Sequence, residues 1–247
     1  TVFNMRMPGS ITAEGSGNAT VIQATGNDEI NTATNTVNMN GAILATSTVD
    51  GAATGIGATT YGKNIVSTVT DITAKSGQQN GGQAAGVDAT DHSTNEVTMT
   101  GNLTATAEVG GDVYGVHAND NSTNTIIGTK DINVTTAGGN NSNNAYGIDA
   151  VKDSTNNVNN TEETKTAEMG SLTVSSDSGA AYGVNADATA GTGTTANYVG
   201  GLIKIDVTST DADAYGVNAT GGTSTTNNSL NDVHMTGDIT VTATLDW

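Results

Sequence analysis

The sequence predicts a right-handed parallel β-helix, an all-β solenoid with three short strands in each coil of about 31 residues and about seven coils in total. Two recurring motifs and a strand-like alternation of apolar and polar residues lead to this prediction. Gly, Asn, Asp and Ser separate the alternating segments, as expected of turns. No segment carries a 3.6-residue apolar stripe, so we expect little or no helix.

The first motif is Asn-x-(Val/Ile), with an aliphatic residue eight positions after the Asn, as in Asn35, Val37 and Ile43. Successive copies are separated by 29, 31, 29, 32, 41 and 34 residues. Identical Asn side chains on stacked coils can donate and accept hydrogen bonds along the axis. The expected ladder consists of Asn35, Asn64, Asn95, Asn124, Asn156, Asn197 and Asn231.

The second motif is (Ala/Tyr)-Gly-(Val/Ile)-x-Ala, seen most clearly at residues 181–186 and 214–219. The repeated Gly suits a corner that needs either a close backbone approach or a positive φ angle. The Tyr before it recurs in successive coils and should stack as a second ladder. This ladder consists of Tyr114, Tyr146, Tyr182 and Tyr215.

The repeat extends over residues 1–247, which predicts a single solenoid domain. Residues 1–34 form a partial N-terminal repeat, in which the motifs are only half preserved. In the fifth copy the aliphatic residue, Leu172, lies sixteen positions after Asn156 rather than eight. We interpret the extra residues, at about 161–168, as an insertion loop because charge is dense there.

Composition excludes several classes of function. The formal net charge is −18, from 25 acidic and 7 basic residues. Nucleic-acid backbones and anionic membrane surfaces require clustered Lys and Arg, so neither is an expected partner. The chain has no Cys, which excludes disulfides and thiolate metal sites. No apolar run is long enough to span a bilayer, so we expect this segment not to cross a membrane.

The sequence shows no catalytic constellation. Its single Arg is Arg6, and its Lys residues scatter over different repeat positions. We therefore predict that the chain is not an enzyme and carries no cofactor. His92 and His234 have no evident partners in the sequence.

One polar row follows from the predicted register. Asp88, His117 and Asp149 occupy the outward position of the second motif on three consecutive coils. They are candidates for a small metal or cation site or a pH-sensitive patch. The favoured interpretation is a solvated polar row, which Asn185 and Asn218 continue.

Two further surface features have a functional and a plainer explanation. Residues 27–29 and 119–121 are oxygen-rich, which would suit calcium, but Asn and Asp are also common in turns for their own hydrogen bonding. The second strands present an outward Thr-x-Thr array, as at Thr104 and Thr106. Such an array would suit ice binding, but Thr is also an ordinary choice for an exposed strand position.

The Ala-Tyr-Gly-Val-x-Ala copies at 181–186 and 214–219 resemble the passenger domains of bacterial autotransporters and related large β-helical adhesins. The resemblance implies an extracellular or bacterial cell-surface location and partners on host or neighbouring cells. We expect a stiff rod that acts in adhesion, display or filament self-assembly. End-to-end self-association is also expected, since the chain begins and ends inside the repeat pattern. The alternative is a glycan-binding or glycan-cleaving β-helix, with aromatics and carboxylates along a groove.

Overall fold

The computed structural model describes residues 2–77, 82–137, 143–160, 170–223 and 225–244. Within these ranges the regular secondary structure consists of β-strands alone. The strands of the first half are β1 (Val2–Met7), β2 (Ile11–Gly15), β3 (Ala19–Thr25), β4 (Ala33–Ser47), β5 (Ala53–Thr59), β6 (Gly62–Ser76), β7 (Ala84–Thr90), β8 (Thr94–Met99), β9 (Leu103–Ala107), β10 (Val113–Asn119) and β11 (Thr123–Ile127). Those of the second half are β12 (Ile132–Thr136), β13 (Ala145–Val151), β14 (Thr155–Val158), β15 (Ser171–Ser176), β16 (Ala181–Asp187), β17 (Thr194–Leu202), β18 (Lys204–Ser209), β19 (Ala214–Thr220), β20 (Asn228–Met235) and β21 (Ile239–Ala243).

The strands stack in parallel as a β-solenoid of about seven turns, with about 32 residues per turn. Each strand pairs with its equivalents in the adjacent coils, so that Asn124 on β11 lies opposite Asn95 on β8 and Val97 lies opposite Ile126. The third strands of the coils form a 7-stranded sheet. The first and second strands form a 14-stranded sheet, because β4 and β6 run without interruption through both positions. The all-β solenoid prediction is therefore confirmed.

The N-terminal residues form a coil of three strands although their motifs are incomplete. β1 and β2 pair with β4, and β3 pairs with β5. Ile11 lies opposite Ile43, and Ile22 lies opposite Ile56, so the apolar positions remain in register. Phe3 takes the place that Asn35 holds in the next coil. The predicted insertion at about 161–168 lies outside the described residues.

A narrow apolar core runs along the axis. Alternate residues of the first and second strands face this core. Their side chains are at most 2% exposed in the coil that contains Val97, Met99, Leu103 and Ala105. One contiguous cluster of buried side chains joins the coils from Ile22 to Val207. Small and branched aliphatic residues fill this core, which explains how a chain with 3% aromatic residues still packs.

The alternation breaks in the third strand, at the Gly of the second motif. Val116 is fully buried in the core, and a Cβ atom on Gly115 would also point at core atoms, 2.8 Å from Ile132 Cγ2. Two consecutive residues therefore face inward. Tyr114 and His117, three positions apart, then lie on the same outer side, with ring centroids 4.3 Å apart.

The sequence left two reasons open for this repeated Gly, and the structure selects one of them. The Gly residues of the motif are absent from the described residues with a positive φ angle. They also lie inside strands rather than at a corner. A Cβ atom on Gly147 would lie 2.5 Å from the Gly183 oxygen, 2.6 Å from Leu172 Cδ1 and 3.0 Å from Val174 Cγ2. Close packing of successive backbones is therefore what requires Gly.

We predict that Gly147→Ala lowers the free energy of unfolding by about 1–3 kcal/mol, since the added methyl group overpacks the core and presses on backbone of the next coil. Chemical denaturation followed by circular dichroism measures this change. Gly15→Ala is the matched control in a strand, because the nearest atom to its Cβ would be 4.0 Å away. Equal stability of the two variants would contradict the packing explanation.

Candidate functional site: ladders and a buried polar row

The structure brings the repeated Asn residues into one continuous ladder. The Nδ2 atom of each donates to the Oδ1 atom of the Asn in the next coil, over distances of 2.8–3.0 Å from Asn35 to Asn231. The five inner members are fully buried. These are Asn64, Asn95, Asn124, Asn156 and Asn197.

The second Nδ2 proton of each ladder Asn forms a hydrogen bond that crosses a corner of the coil. It is donated to a backbone carbonyl of the preceding third strand, for example from Asn95 to Asp88 at 2.7 Å and from Asn156 to Asp149 at 2.7 Å. This bond spans 7 residues at four corners, but 12 residues between Asn35 and Gln23 and between Asn197 and Asn185. The Asn side chain therefore joins the first strand to the third whatever the length of the turn.

A ladder of hydroxyl groups stabilises the same corner. The backbone N–H of Ser93 donates to Ser122 Oγ, and that of Ser122 donates to Ser154 Oγ, both at 3.1 Å. The two residues before each of these Ser have positive φ angles, as do Thr60 and Tyr61 one coil earlier. A buried Ser that accepts from the neighbouring coil satisfies an amide that such a tight turn leaves unpaired.

Sequence reasoning missed this hydroxyl ladder. Its signal was the recurring triplet Ser-Thr-Asn at residues 93–95, 122–124 and 154–156. In a chain so rich in Ser, Thr and Asn, the triplet could not be separated from composition alone.

The Tyr residues form the expected stack. The ring centroids of Tyr114, Tyr146, Tyr182 and Tyr215 are 4.9–5.0 Å apart, with interplanar angles of 4–8°. Each inner ring thus covers the faces of its neighbours and leaves mainly its edge to solvent.

The polar row of the third strands is largely buried. His117, Asp149 and Asn185 are exposed to only 9%, 2% and 7%, so the prediction of a solvated row is wrong for these three residues. The cause is the broken alternation at Gly115, which places the Tyr114 ring over His117. A sequence argument based on strict alternation could not anticipate this.

Hydrogen bonds and one longer ion-pair contact connect the row from coil to coil. His117 Nδ1 lies 2.8 Å from Asp88 Oδ1, and His117 Nε2 lies 3.7 Å from Asp149 Oδ2. Asn185 donates to Asp149 Oδ1 at 2.8 Å, and Asn218 donates to Asn185 Oδ1 at 2.7 Å. Both ring nitrogens of His117 therefore face carboxylates.

Burial and neighbouring groups act against each other on the row, but the pKa values of His117 and Asp149 are both raised as a net result. Burial alone disfavours the His117 imidazolium, but the hydrogen bond and charge of Asp88 and the charge of Asp149 outweigh it, so the pKa of His117 is raised from 6.5. Burial raises the pKa of Asp149 to about 6, despite the opposing effects of His117 and Asn185. Burial also raises the pKa of Tyr114.

The weak metal candidates of the sequence are Asp88, His117 and Asp149, and they do not form a coordination shell. No group of three or more His, Cys, Asp or Glu in the described part of the chain is arranged to hold a metal ion. The imidazole lies between the two carboxylates and hydrogen-bonds to one of them, so the three side chains bind each other.

The oxygen-rich turns, which the sequence made calcium candidates, use their side chains within the protein. Asp28 Oδ1 accepts from the Asn31 side-chain amide at 2.9 Å and from the backbone N–H groups of Asn31 and Ile30 at 2.7 and 3.0 Å, which closes a local turn and lowers the pKa of Asp28. Asp120 pairs with Lys152 at 2.7 Å. These contacts agree with the turn explanation.

The two remaining histidines have partners that the sequence did not reveal. His92 Nδ1 lies 3.1 Å from Asp91 Oδ1, and its ring stacks on Tyr61 with centroids 4.8 Å apart. His234 Nε2 lies 3.2 Å from Asp232 Oδ1. Both His side chains are about half exposed, at 41% and 52%, unlike His117.

The outward face of the second strands is polar but not a uniform Thr array. Thr104 and Thr106 are half-buried on β9, and Thr135 and Thr173 are exposed on the next two coils. Charged side chains interrupt the columns, with Lys75 paired to Glu108 and Asp206 paired to Lys204. The interruptions favour β-propensity as the reason for the Thr residues.

Comparisons with protein families, with curated proteins and with solved structures give no match to this chain. The class that the structure defines is a parallel β-solenoid with Asn, Ser and Tyr ladders. Within the described ranges, no helix is long and apolar enough to cross a membrane.

We predict that Asn156→Ala lowers the free energy of unfolding by at least about 2 kcal/mol, because it removes the partner of Asn124, Asn197 and the Asp149 carbonyl in a dry environment. Asn157→Ala is the matched control, since Asn157 follows directly on β14 and is half-buried on the opposite side. Its effect should stay within about 0.5 kcal/mol. Urea denaturation of both variants measures the difference.

Proposed function

We propose that this chain is a structural or adhesive rod of a bacterial cell-surface or extracellular protein, and that it works by holding its outward side chains at a fixed spacing. The observation that supports this most is the unbroken Asn ladder, which joins coils from Asn35 to Asn231. Because each inner ladder Asn hydrogen-bonds to the Asn of both neighbouring coils, bending at one coil would cost buried hydrogen bonds.

The distribution of chemistry over the surface agrees with this proposal. The pairs between Lys and carboxylate side chains that the structure describes are exposed or half-exposed, as for Lys63 with Glu96. Three open surface grooves of the described chain are lined largely by Thr, Asn and Gly, and their few charged side chains include the paired Lys75 and Glu108. Display of a regular polar surface is what such a rod can do.

A glycan-binding or glycan-cleaving β-helix receives less support. Sugar rings stack on aromatic faces, and neighbouring rings cover the inner faces of the Tyr ladder. The carboxylates beside the ladder, Asp88 and Asp149, are engaged by His117 and, for Asp149, by Asn185. End-to-end self-association and a partner on host or neighbouring cells stay predictions.

The rod can be tested with pairs of spin labels, because the chain has no Cys of its own. Thr12, Thr73 and Thr240 occupy one outward column of the second strands. Labels at Thr12→Cys and Thr240→Cys should give a narrow distance distribution near seven coil spacings, about 34 Å. The control pair Thr73→Cys and Thr240→Cys should give about 24 Å. Broad distributions would contradict a stiff rod.

Beads coated with the chain test adhesion directly. We expect retention on cell surfaces or on a layer of the same chain, and no release of sugars from polysaccharides. A glycan array run with the wild type and with Tyr182→Ala tests the alternative. Glycan binding that Tyr182→Ala abolishes, or polysaccharide cleavage, would favour the alternative over the rod.

A further inference from the structure

A buried cluster of charges joins three successive coils on the outer side of the 7-stranded sheet. It consists of Asp88 on β7, His117 on β10 and Asp149 on β13, which the register places side by side. The His117 and Asp149 side chains are only 11% and 3% exposed, and that of Asp88 is 19% exposed. Charges so far from water must be balanced by one another.

The surroundings of His117 are acidic or neutral. From its own strand it faces Tyr114, and from the turn before that strand it feels the charge of Asp112. The neighbouring strands contribute carboxylates on both sides, at β7 and at β13. Beyond Asp149, β16 contributes the Asn185 amide and the charge of Asp187. The protonated imidazole is therefore the balancing positive charge within this group.

We propose that Asp88, His117 and Asp149 form a proton-dependent clamp between coils. The clamp holds the three coils together while the His117 ring is protonated, and it weakens when the ring loses its proton. Protonated, the ring donates from both nitrogens toward the two carboxylates. Neutral, it has a single N–H, so one nitrogen lone pair faces a carboxylate. Two neighbouring negative charges, of which Asp149 is buried, are then left with no positive charge between them.

The direction of the pH dependence follows from the ionisation of the two groups. The pKa of His117 is raised above 6.5 in the folded chain, so the stability it contributes is complete below pH 6.5 and is lost as pH rises through the raised pKa. Asp149, whose pKa is raised from 3.8 to about 6, also holds its proton more tightly when folded. Its contribution likewise declines as pH rises from about 4 to about 6.

Three partly exposed carboxylates affect stability in the opposite sense, and only at lower pH. Hydrogen bonds lower the pKa values of Asp28 and Asp91 below 3.8, and backbone and side-chain hydrogen bonds from Thr192 and Gly193 outweigh burial in lowering that of Asp153. Their stabilisation is lost as pH falls below that value. Above the pH at which these three carboxylates ionise, the clamp is therefore expected to determine how stability depends on pH.

Nuclear magnetic resonance of the full chain can follow each ring, because there are 3 His residues. We expect the His117 ring protons to titrate above pH 6.5. We also expect hydrogen exchange in Val113–Asn119, corrected for intrinsic rates, to accelerate through the same range. The expected loss of protection is about tenfold for each unit by which the pKa of His117 is raised.

Two His variants separate the clamp from ordinary His–Asp pairing. His117→Gln should remove the part of the pH dependence of stability that lies above pH 6.5, whereas His92→Gln should keep it. His92 also has an Asp partner and a Tyr neighbour, but its side chain is 41% exposed. The same pH dependence in His117→Gln as in the wild type would overturn the proposal. If that variant does not fold, titration of wild-type His117 at or below pH 6.5 would overturn it equally.

Discussion

The hydrogen-bonding requirement of a buried amide is the constraint on which this solenoid depends. Each of the five inner ladder Asn has two N–H donors and one oxygen in a fully buried site, where protein groups of the adjacent strands satisfy them. The hydrogen bonds between successive Asn side chains fix the register of the first strands. The hydrogen bond across the corner fixes the position of the third strand relative to the first. The apolar core adds burial energy, but aliphatic side chains alone would tolerate a slip along the axis that the amides do not.

A single small residue then determines what the outer surface looks like. Gly115 and its equivalents let two consecutive residues face the core, so the outward residues on either side come into contact. One consequence is the Tyr ladder with its covered faces. The other is a polar row that lies on the outside of the rod and yet is shielded from water, where ionisation responds to neighbours more than to solvent.

The sequence was sufficient for the parts of the structure that follow from period alone. The coil, the parallel pairing, the Asn ladder and the Tyr stack require only that equivalent residues lie above one another. The burial of His117 could not be predicted, because it requires Gly115 and Val116 both to face the core, and nothing in the sequence indicates this departure from alternation. The Ser ladder could not be recognised because Ser is common throughout the chain. The partners of His92 could not be predicted because they lie in equivalent turns of two coils, where residues other than Gly have positive φ angles.

The corner that the ladder Asn crosses has one further consequence. The same bond is made over 7 residues between Asn64 and Gly57 and over 13 between Asn231 and Asn218. Turn length at this corner is thus decoupled from coil geometry, because the amide, not the turn, sets the path of the chain. A lineage of such proteins could exchange whole surface segments here while the scaffold stayed unchanged, and a protein engineer could graft foreign peptides at the same place.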